Sequence, residues 1–94
     1  MKLRWTRNAL NDLAEIQDYI ARENPTAARM VGRTIRASTD RLADHPYSGR
    51  PGPVEGTHEL VVAKLPYVIA YRVAGAVEIL AIRHDAQLWP EKAG

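Results

Sequence analysis

Gly56-Thr57-His58-Glu59-Leu60-Val61-Val62, then Pro66-Tyr67-Val68-Ile69-Ala70-Tyr71-Arg72-Val73, then Val77-Glu78-Ile79-Leu80-Ala81-Ile82-Arg83-His84 decide the fold. Three apolar, β-branched runs separated by short punctuated turns predict an antiparallel meander. Its strands should cover about 57–64, 67–74 and 77–84, joined by Leu65-Pro66 and Ala74-Gly75-Ala76. Connections this short force antiparallel neighbours. On the third strand, strict alternation puts Val77, Ile79 and Ala81 on one side and Glu78, Leu80, Ile82 and His84 on the other. Both sides carry apolar residues. One side should pack on helices, and the other, or a groove beside it, is what a binding partner would cover. Glu59, Tyr71, Arg72, Arg83, His84 and Trp89 stand at the edges of this region, with more polar and aromatic character than a purely structural sheet needs.

Upstream of the meander the period changes from two to between three and four. Leu3-Arg4-Trp5 reads as a short first strand, and Thr6 as the N-cap of a helix running to about Glu23. Leu10, Leu13, Ile16, Gln17 and Ile20 mark one helical face, with Asp12, Glu15 and Asp18 on another. Asn24-Pro25 breaks the chain and Pro25 suits the first turn of a second helix, reaching about Ala43. There Ala28, Val31, Ile35, Ser38 and Leu42 recur at helical spacing, while Arg29, Arg33, Arg36 and Asp40 point elsewhere. So short a connection makes the two helices an antiparallel hairpin. His45-Pro46 ends it, and the stretch 47–56, with Gly49, Pro51, Gly52, Pro53 and Gly56, reads as a loop. The expected fold is therefore α+β, ordered β-α-α-β-β-β, with the hairpin packed on a small antiparallel sheet and residues 1–94 forming one domain.

A chain of 94 residues has room for one small core, and its isolated stability should be modest. A permanent partner would help. With 46% hydrophobic and 26% charged residues it has an ordinary globular composition. No apolar stretch approaches the roughly 20 residues of a membrane span, and the opening residues lack the apolar core of a signal peptide. A cytoplasmic location is expected. The absence of cysteine excludes disulfides, thiol catalysis and thiolate metal sites. Net charge is +2, yet residues 1–50 hold nine of the thirteen basic residues and six of the eleven acids. All but Lys2, Lys64 and Lys92 of these are arginine, whose planar fork suits carboxylate or phosphate. A preference for arginine codons would give the same count.

The order and wording of these segments, above all Tyr67-Val68-Ile69-Ala70-Tyr71-Arg72-Val73, Ile79-Leu80-Ala81-Ile82-Arg83-His84 and Trp89-Pro90, resemble the RelE/ParE superfamily of bacterial toxins. The resemblance covers essentially the whole chain and is closest to the ParE-type branch. It implies the toxin of a type II toxin–antitoxin pair that inhibits DNA gyrase by binding, without cofactor, metal or catalytic residues. It further implies a hetero-oligomer with a ParD-like antitoxin whose acidic, amphipathic segment folds into a groove between hairpin and sheet. Arg29, Arg33, Arg36, Arg72, Arg83 and Trp89 are the candidate contacts.

Many RelE-type members cut ribosome-bound mRNA without a metal, using lysines and arginines to hold the scissile phosphate. Aligning their central-strand tyrosine on Tyr67 places the expected lysines near Glu59 and Val61 and the expected arginines on Val68 and near Gln87. No tyrosine follows Tyr71. That departure argues against RelE-type cleavage, whose phosphate clamp needs those cations. A second enzymatic arrangement, used by another branch, pairs a glutamate, an arginine and a histidine, here Glu59, Arg72 and His84. A histidine with an ordinary pKa of about 6.5 could serve as acid or base. Alternatively Glu59 and Arg72 form a cross-strand ion pair and His84 caps the sheet edge.

The remaining candidates are read as structural. His58 is expected to be a solvated turn residue, and His45 a helix C-terminal residue favoured by the dipole. The three histidines lack metal-ligand spacing, and the Gly49-Arg50-Pro51-Gly52 turn lacks the strand-to-helix context of a phosphate loop. Trp89 is expected to plug one end of the core, with a partner contact as the alternative.

Overall fold

Among residues 1–85, which the computed structural model describes, seven elements follow one another. They are β1 (Leu3–Trp5), α1 (Arg7–Ala21), α2 (Pro25–Asp44), β2 (Arg50–Pro51), β3 (Thr57–Val61), β4 (Tyr67–Val73) and β5 (Val77–His84). The strands form one five-stranded sheet ordered β1-β5-β4-β3-β2. This is the expected α+β architecture with two refinements. The loop before the meander contributes β2, whose Arg50 and Pro51 pair antiparallel with Glu59 and His58. At the opposite edge β1 runs parallel to β5, Leu3 beside Val77 and Trp5 beside Ile79. A parallel neighbour needs a long return path, which the helices and the rest of the meander supply.

Local chemistry starts and stops the helices. The Thr6 hydroxyl accepts the Ala9 amide at 3.1 Å and itself donates to the Ile79 carbonyl at 2.9 Å, so one side chain caps α1 and ties it to β5. Asn24 caps α2 through Ala27, with Pro25 in its first turn. At the far end the His45 amide returns to the Arg41 carbonyl. The inward line of α1 runs Ala9, Leu13, Ile16, with Ala9 and Leu13 fully covered. Leu10, expected on that face, is 45% exposed. Alanine permits the close approach of the first turn to β5 that the Thr6 tie demands. Gln17 donates to the Ala28 carbonyl at 3.0 Å and occupies the space left by Gly32 where the helices cross.

The core lies between hairpin and sheet. Leu13, Ile35 and Leu42 come from the helices, and Ile69, Tyr71, Val77, Ile79 and Ile82 from the sheet. Leu3 and Trp5 pack against it from the edge. Strict alternation fails once in β5. Ala70 is opposite Ala81 while Tyr71 is opposite Ile79, leaving Leu80 as an extra residue. The bulge sends Ile79 and Ile82 to the same inward face and Ala81 to the outer one. That reverses the expected placement of Ala81, Ile82 and His84.

Because β1 stops at Trp5, the rest of the β5 edge would lack partners. The start of α1 supplies them: the Thr6 amide reaches the Ile79 carbonyl, Asn8 donates to the Leu80 carbonyl at 2.9 Å, and the Asp12 carboxylate accepts the Ile82 amide at 3.0 Å. Asp12, assigned by its spacing to the solvent face, thus acts as a substitute strand. Replacing it with alanine leaves a part-buried amide unpaired, which costs about 1–3 kcal/mol. Urea unfolding of Asp12→Ala should show that loss with an unchanged slope, and Asp12→Asn, which keeps an acceptor, should lose less. Equal midpoints for Asp12→Ala and the parent would contradict this role.

Candidate partner-binding surfaces

Cross-strand register sorts the chemistry-bearing residues between the two faces of the sheet. Thr57, Glu59, Ala70, Arg72, Ala81 and Arg83 belong to the outer face, away from the helices. His58, Tyr67, Tyr71 and His84 belong to the inner one, following Ile69 and Ile82. Glu59, Arg72 and His84, the set that could have formed an acid–base site, are therefore divided. His84 is opposite Tyr67 and meets its ring edge-on, centroids 5.5 Å apart. The expected Glu59–Arg72 pair is also replaced by others. Arg72 donates to Glu78 across β4 and β5, while Glu59 takes the Arg50 guanidinium at 3.1 Å. Register explains the exchange: Glu78 is directly opposite Arg72 and Arg50 directly opposite Glu59.

The outer face holds a concavity of about 580 Å³. Ala70 and Ala81 pave it, Leu80 and Val73 add aliphatic walls, and the Pro53–Gly56 segment borders it on the β3 side. Glu59 lines it with only 6% of its surface exposed, and among the described residues its Oε2 has no hydrogen-bond partner. Arg72 and Arg83 also line it.

A second groove, about 530 Å³, runs between α1 and the β4–β5 end of the sheet. Ile16, Tyr19, Tyr67, Ile82 and His84 line it, but so do Asp12, Glu15 and Asp18, against one arginine, Arg22. The space between hairpin and sheet foreseen for an acidic segment is thus walled by acids. Arg29, Arg33 and Arg36 lie elsewhere, as an exposed stripe at i, i+4, i+7 on α2. Arg29 reaches Thr26 in its own helix, and Arg36 sits 5.5 Å from the Trp5 ring centroid. Trp89 lies outside the described residues.

His58 is not the solvated turn residue its neighbours implied. It stacks on the buried Tyr71 ring at 5.3 Å, meets Tyr47 edge-on, and keeps a buried Nδ1 without a partner. Tyr71 in turn accepts the Gly49 amide at 3.0 Å, anchoring the loop before β2. A Cβ at Gly49 would lie 2.6 Å from the Glu59 carbonyl oxygen and 2.7 Å from the Tyr71 hydroxyl, so glycine is needed for this approach. Among the described residues no group of three His, Asp or Glu could hold a metal ion, and no helix is long and apolar enough to cross a membrane.

Comparison with known proteins agrees with this architecture. A family model described as the ParE toxin of the type II toxin–antitoxin system parDE matches residues 3–89. The chain is similar to Y4kP of Sinorhizobium fredii, which carries a toxin designation, with 47% identity over 90 residues, 96% of this chain and 94% of that protein. It is also similar to Toxin RelE2 of Caulobacter vibrioides, with 45% identity over 85 residues, 89% and 94% of the two chains. Among solved structures, a chain of the chromosomal ParDE system from P. aeruginosa superposes with a TM-score of 0.82 at 31% identity. That match covers 89% of this chain and 95% of the other.

The two inward tyrosines give these surfaces a pH signature. Burial pushes the phenols of Tyr67 and Tyr71 above their ordinary value of 10.0; Tyr19 adds to the rise at Tyr67, and the Gly49 amide opposes it at Tyr71. A phenol whose folded pKa exceeds its unfolded value holds its proton more tightly when native. Its stabilisation is complete below about pH 10 and is lost as pH climbs through the folded value. Tyr67→Phe keeps the ring and spares the Tyr71–Gly49 bond. Thermal melts from pH 9 upward should fall less steeply for this variant than for the parent; parallel alkaline limbs would refute the assignment.

Proposed function

This chain belongs to the ParE toxin family of type II toxin–antitoxin systems, and from that premise we propose that it acts by binding a protein target, DNA gyrase, rather than by cutting RNA. One observation carries the choice. Glu59 and Arg72 share the outer sheet face, each held by another ion-pair partner, while His84 lies on the inner face against Tyr67. General acid–base cleavage needs its groups within hydrogen-bond reach of one reacting centre. Alignment on Tyr67 also places the phosphate-holding lysines of RelE-type enzymes near Glu59 and Val61, where this chain has no lysine.

A cognate antitoxin is the expected partner, and charge directs where its acidic segment docks. The α1 groove, lined by Asp12, Glu15 and Asp18, would repel it. The Arg29–Arg33–Arg36 stripe of α2 would attract it. Arginine is well suited to this work because its fork pairs with carboxylates in two places at once. Binding would mask exposed apolar side chains nearby such as Met30, 56% exposed on α2. It would also support a chain whose small core gives modest stability alone.

A ribonuclease reading has one point in its favour, the 45% identity to a protein named RelE2. In that reading Glu59, Arg72 and His84 would act together. Purified toxin should block gyrase supercoiling of relaxed plasmid, an effect reversed by antitoxin, and leave ribosome-bound mRNA intact by primer extension. New 5′ ends at codon positions that vanish in His84→Ala, with supercoiling unaffected at large excess, would replace this proposal with the ribonuclease.

A further inference from the structure

Glu59 is an unusual wall for a surface concavity. Its side chain is 7% exposed, yet only one of its two oxygens is used. Oε1 takes both Nε and a terminal nitrogen of Arg50, and Oε2 is buried with no donor among the described residues. A buried carboxylate oxygen in this condition calls for an N–H group, and charged donors satisfy it best. The two arginines lining the concavity do not meet the demand: neither Arg72, engaged by Glu78, nor Arg83 donates to Oε2. Ala70 and Ala81 lie in register with Glu59 across the sheet, and Val73 and Leu80 line the same concavity. A flat group can lie on the two alanines, and a hydrocarbon stem can run along the walls.

We propose that the outer-sheet concavity is a receptor for an arginine side chain presented by a protein partner, with Glu59 as its acceptor. The inference rests on the reading that this toxin works by protein binding, and gives that surface a ligand chemistry. The guanidinium lies over Ala70 and Ala81 and donates to Oε2, so that Glu59 is held between two arginines, one from each protein. Arg50 is the movable side of the pair. It projects from a two-residue edge strand with 61% of its side chain exposed, so a small swing lets the carboxylate turn Oε2 toward the concavity. A guanidinium fits better than an ammonium because its delocalised, weakly hydrated plane tolerates an apolar floor. The unfilled Glu59 oxygen asks for a donor and not another acceptor, Glu55 borders the site, and Arg72 of the lining is already paired with Glu78.

The probe is a capped tripeptide, acetyl-Ala-Arg-Ala-amide, titrated into ¹⁵N-labelled full-length protein and followed by two-dimensional NMR. Saturable shifts centred on the amides of Glu59, Ala70 and Ala81 are expected, with a dissociation constant on the order of millimolar for so small a ligand. The citrulline peptide, equal in shape but uncharged, should bind at least several-fold more weakly. Glu59→Gln should weaken the arginine peptide to the same degree. Ala81→Leu, which fills the floor from the neighbouring strand and leaves Glu59 in place, should abolish binding while the spectrum stays dispersed. The proposal is overturned if no saturable shift occurs on the parent, if citrulline binds equally well, or if the shifts centre on the α1 groove. The titration contains neither gyrase nor ribosomes, so its outcome is separate from that of the supercoiling assay.

Discussion

The extra residue in β5, Leu80, is the constraint on which the other features depend. A bulge costs ladder hydrogen bonds, and it persists where something else satisfies the exposed groups. Here the start of α1 does so: Thr6, Asn8 and Asp12 serve Ile79, Leu80 and Ile82 beyond the end of the three-residue β1. The helix therefore cannot slide along the sheet without breaking several bonds. Its first turn is held close to β5, which is why Ala9 and not Leu10 faces inward. On the sheet the same bulge delivers Ile79 and Ile82 to the core and leaves Ala81 outside, beside Ala70.

That division has a functional consequence. Small residues outside make a shallow, paved concavity, and Arg50 and Arg72 at its borders are committed to glutamates in register with them. The more exposed of the two, Arg72–Glu78, contributes little to stability, and the arrangement favours complementarity over reactivity. The inner residues His58, Tyr71 and Tyr67 are engaged in ring contacts and core packing. What remains accessible among the described residues is a mosaic: acids along α1, arginines along α2, and a mixed outer sheet. A mosaic of this kind can present surfaces of different charge to different protein partners.

Much of this was legible in the sequence. Thr6, Asn24-Pro25 and His45 mark helix ends by chemistry that acts within a few residues, and the three meander strands follow from local apolar runs. The family, too, could be seen in the order of those runs. Features set by contacts distant in the chain were not. A bulge inserts one residue without any sequence signal in Leu80-Ala81-Ile82, so period-two reasoning placed Ala81, Ile82 and His84 on the wrong faces. Asp12 and Asn8 look like solvent residues until a sheet edge 70 or so residues away needs them. His58 looked like a turn residue because its neighbours are polar, whereas Tyr71 on the next strand defines its surroundings. The parallel placement of β1 and the brief β2 pairing are likewise tertiary choices. The sign of the α1 groove was in fact readable from Asp12, Glu15 and Asp18, but only once that helix face was known to border it.

The division of Glu59 from His84 across the sheet is the central claim about function, and a double-mutant cycle tests it most directly. Growth inhibition at controlled expression would be titrated for the parent, Glu59→Gln, His84→Ala and the double variant, with folded protein quantified in each. Groups on opposite faces of the sheet should act independently, so the double variant should show the combined effect of the singles, within about 0.5 kcal/mol when expressed as free energy. Catalytic partners behave otherwise: removing either one costs as much as removing both. If each single change abolished toxicity as fully as the pair, Glu59 and His84 would be acting as one site, and their separation across the sheet would be contradicted.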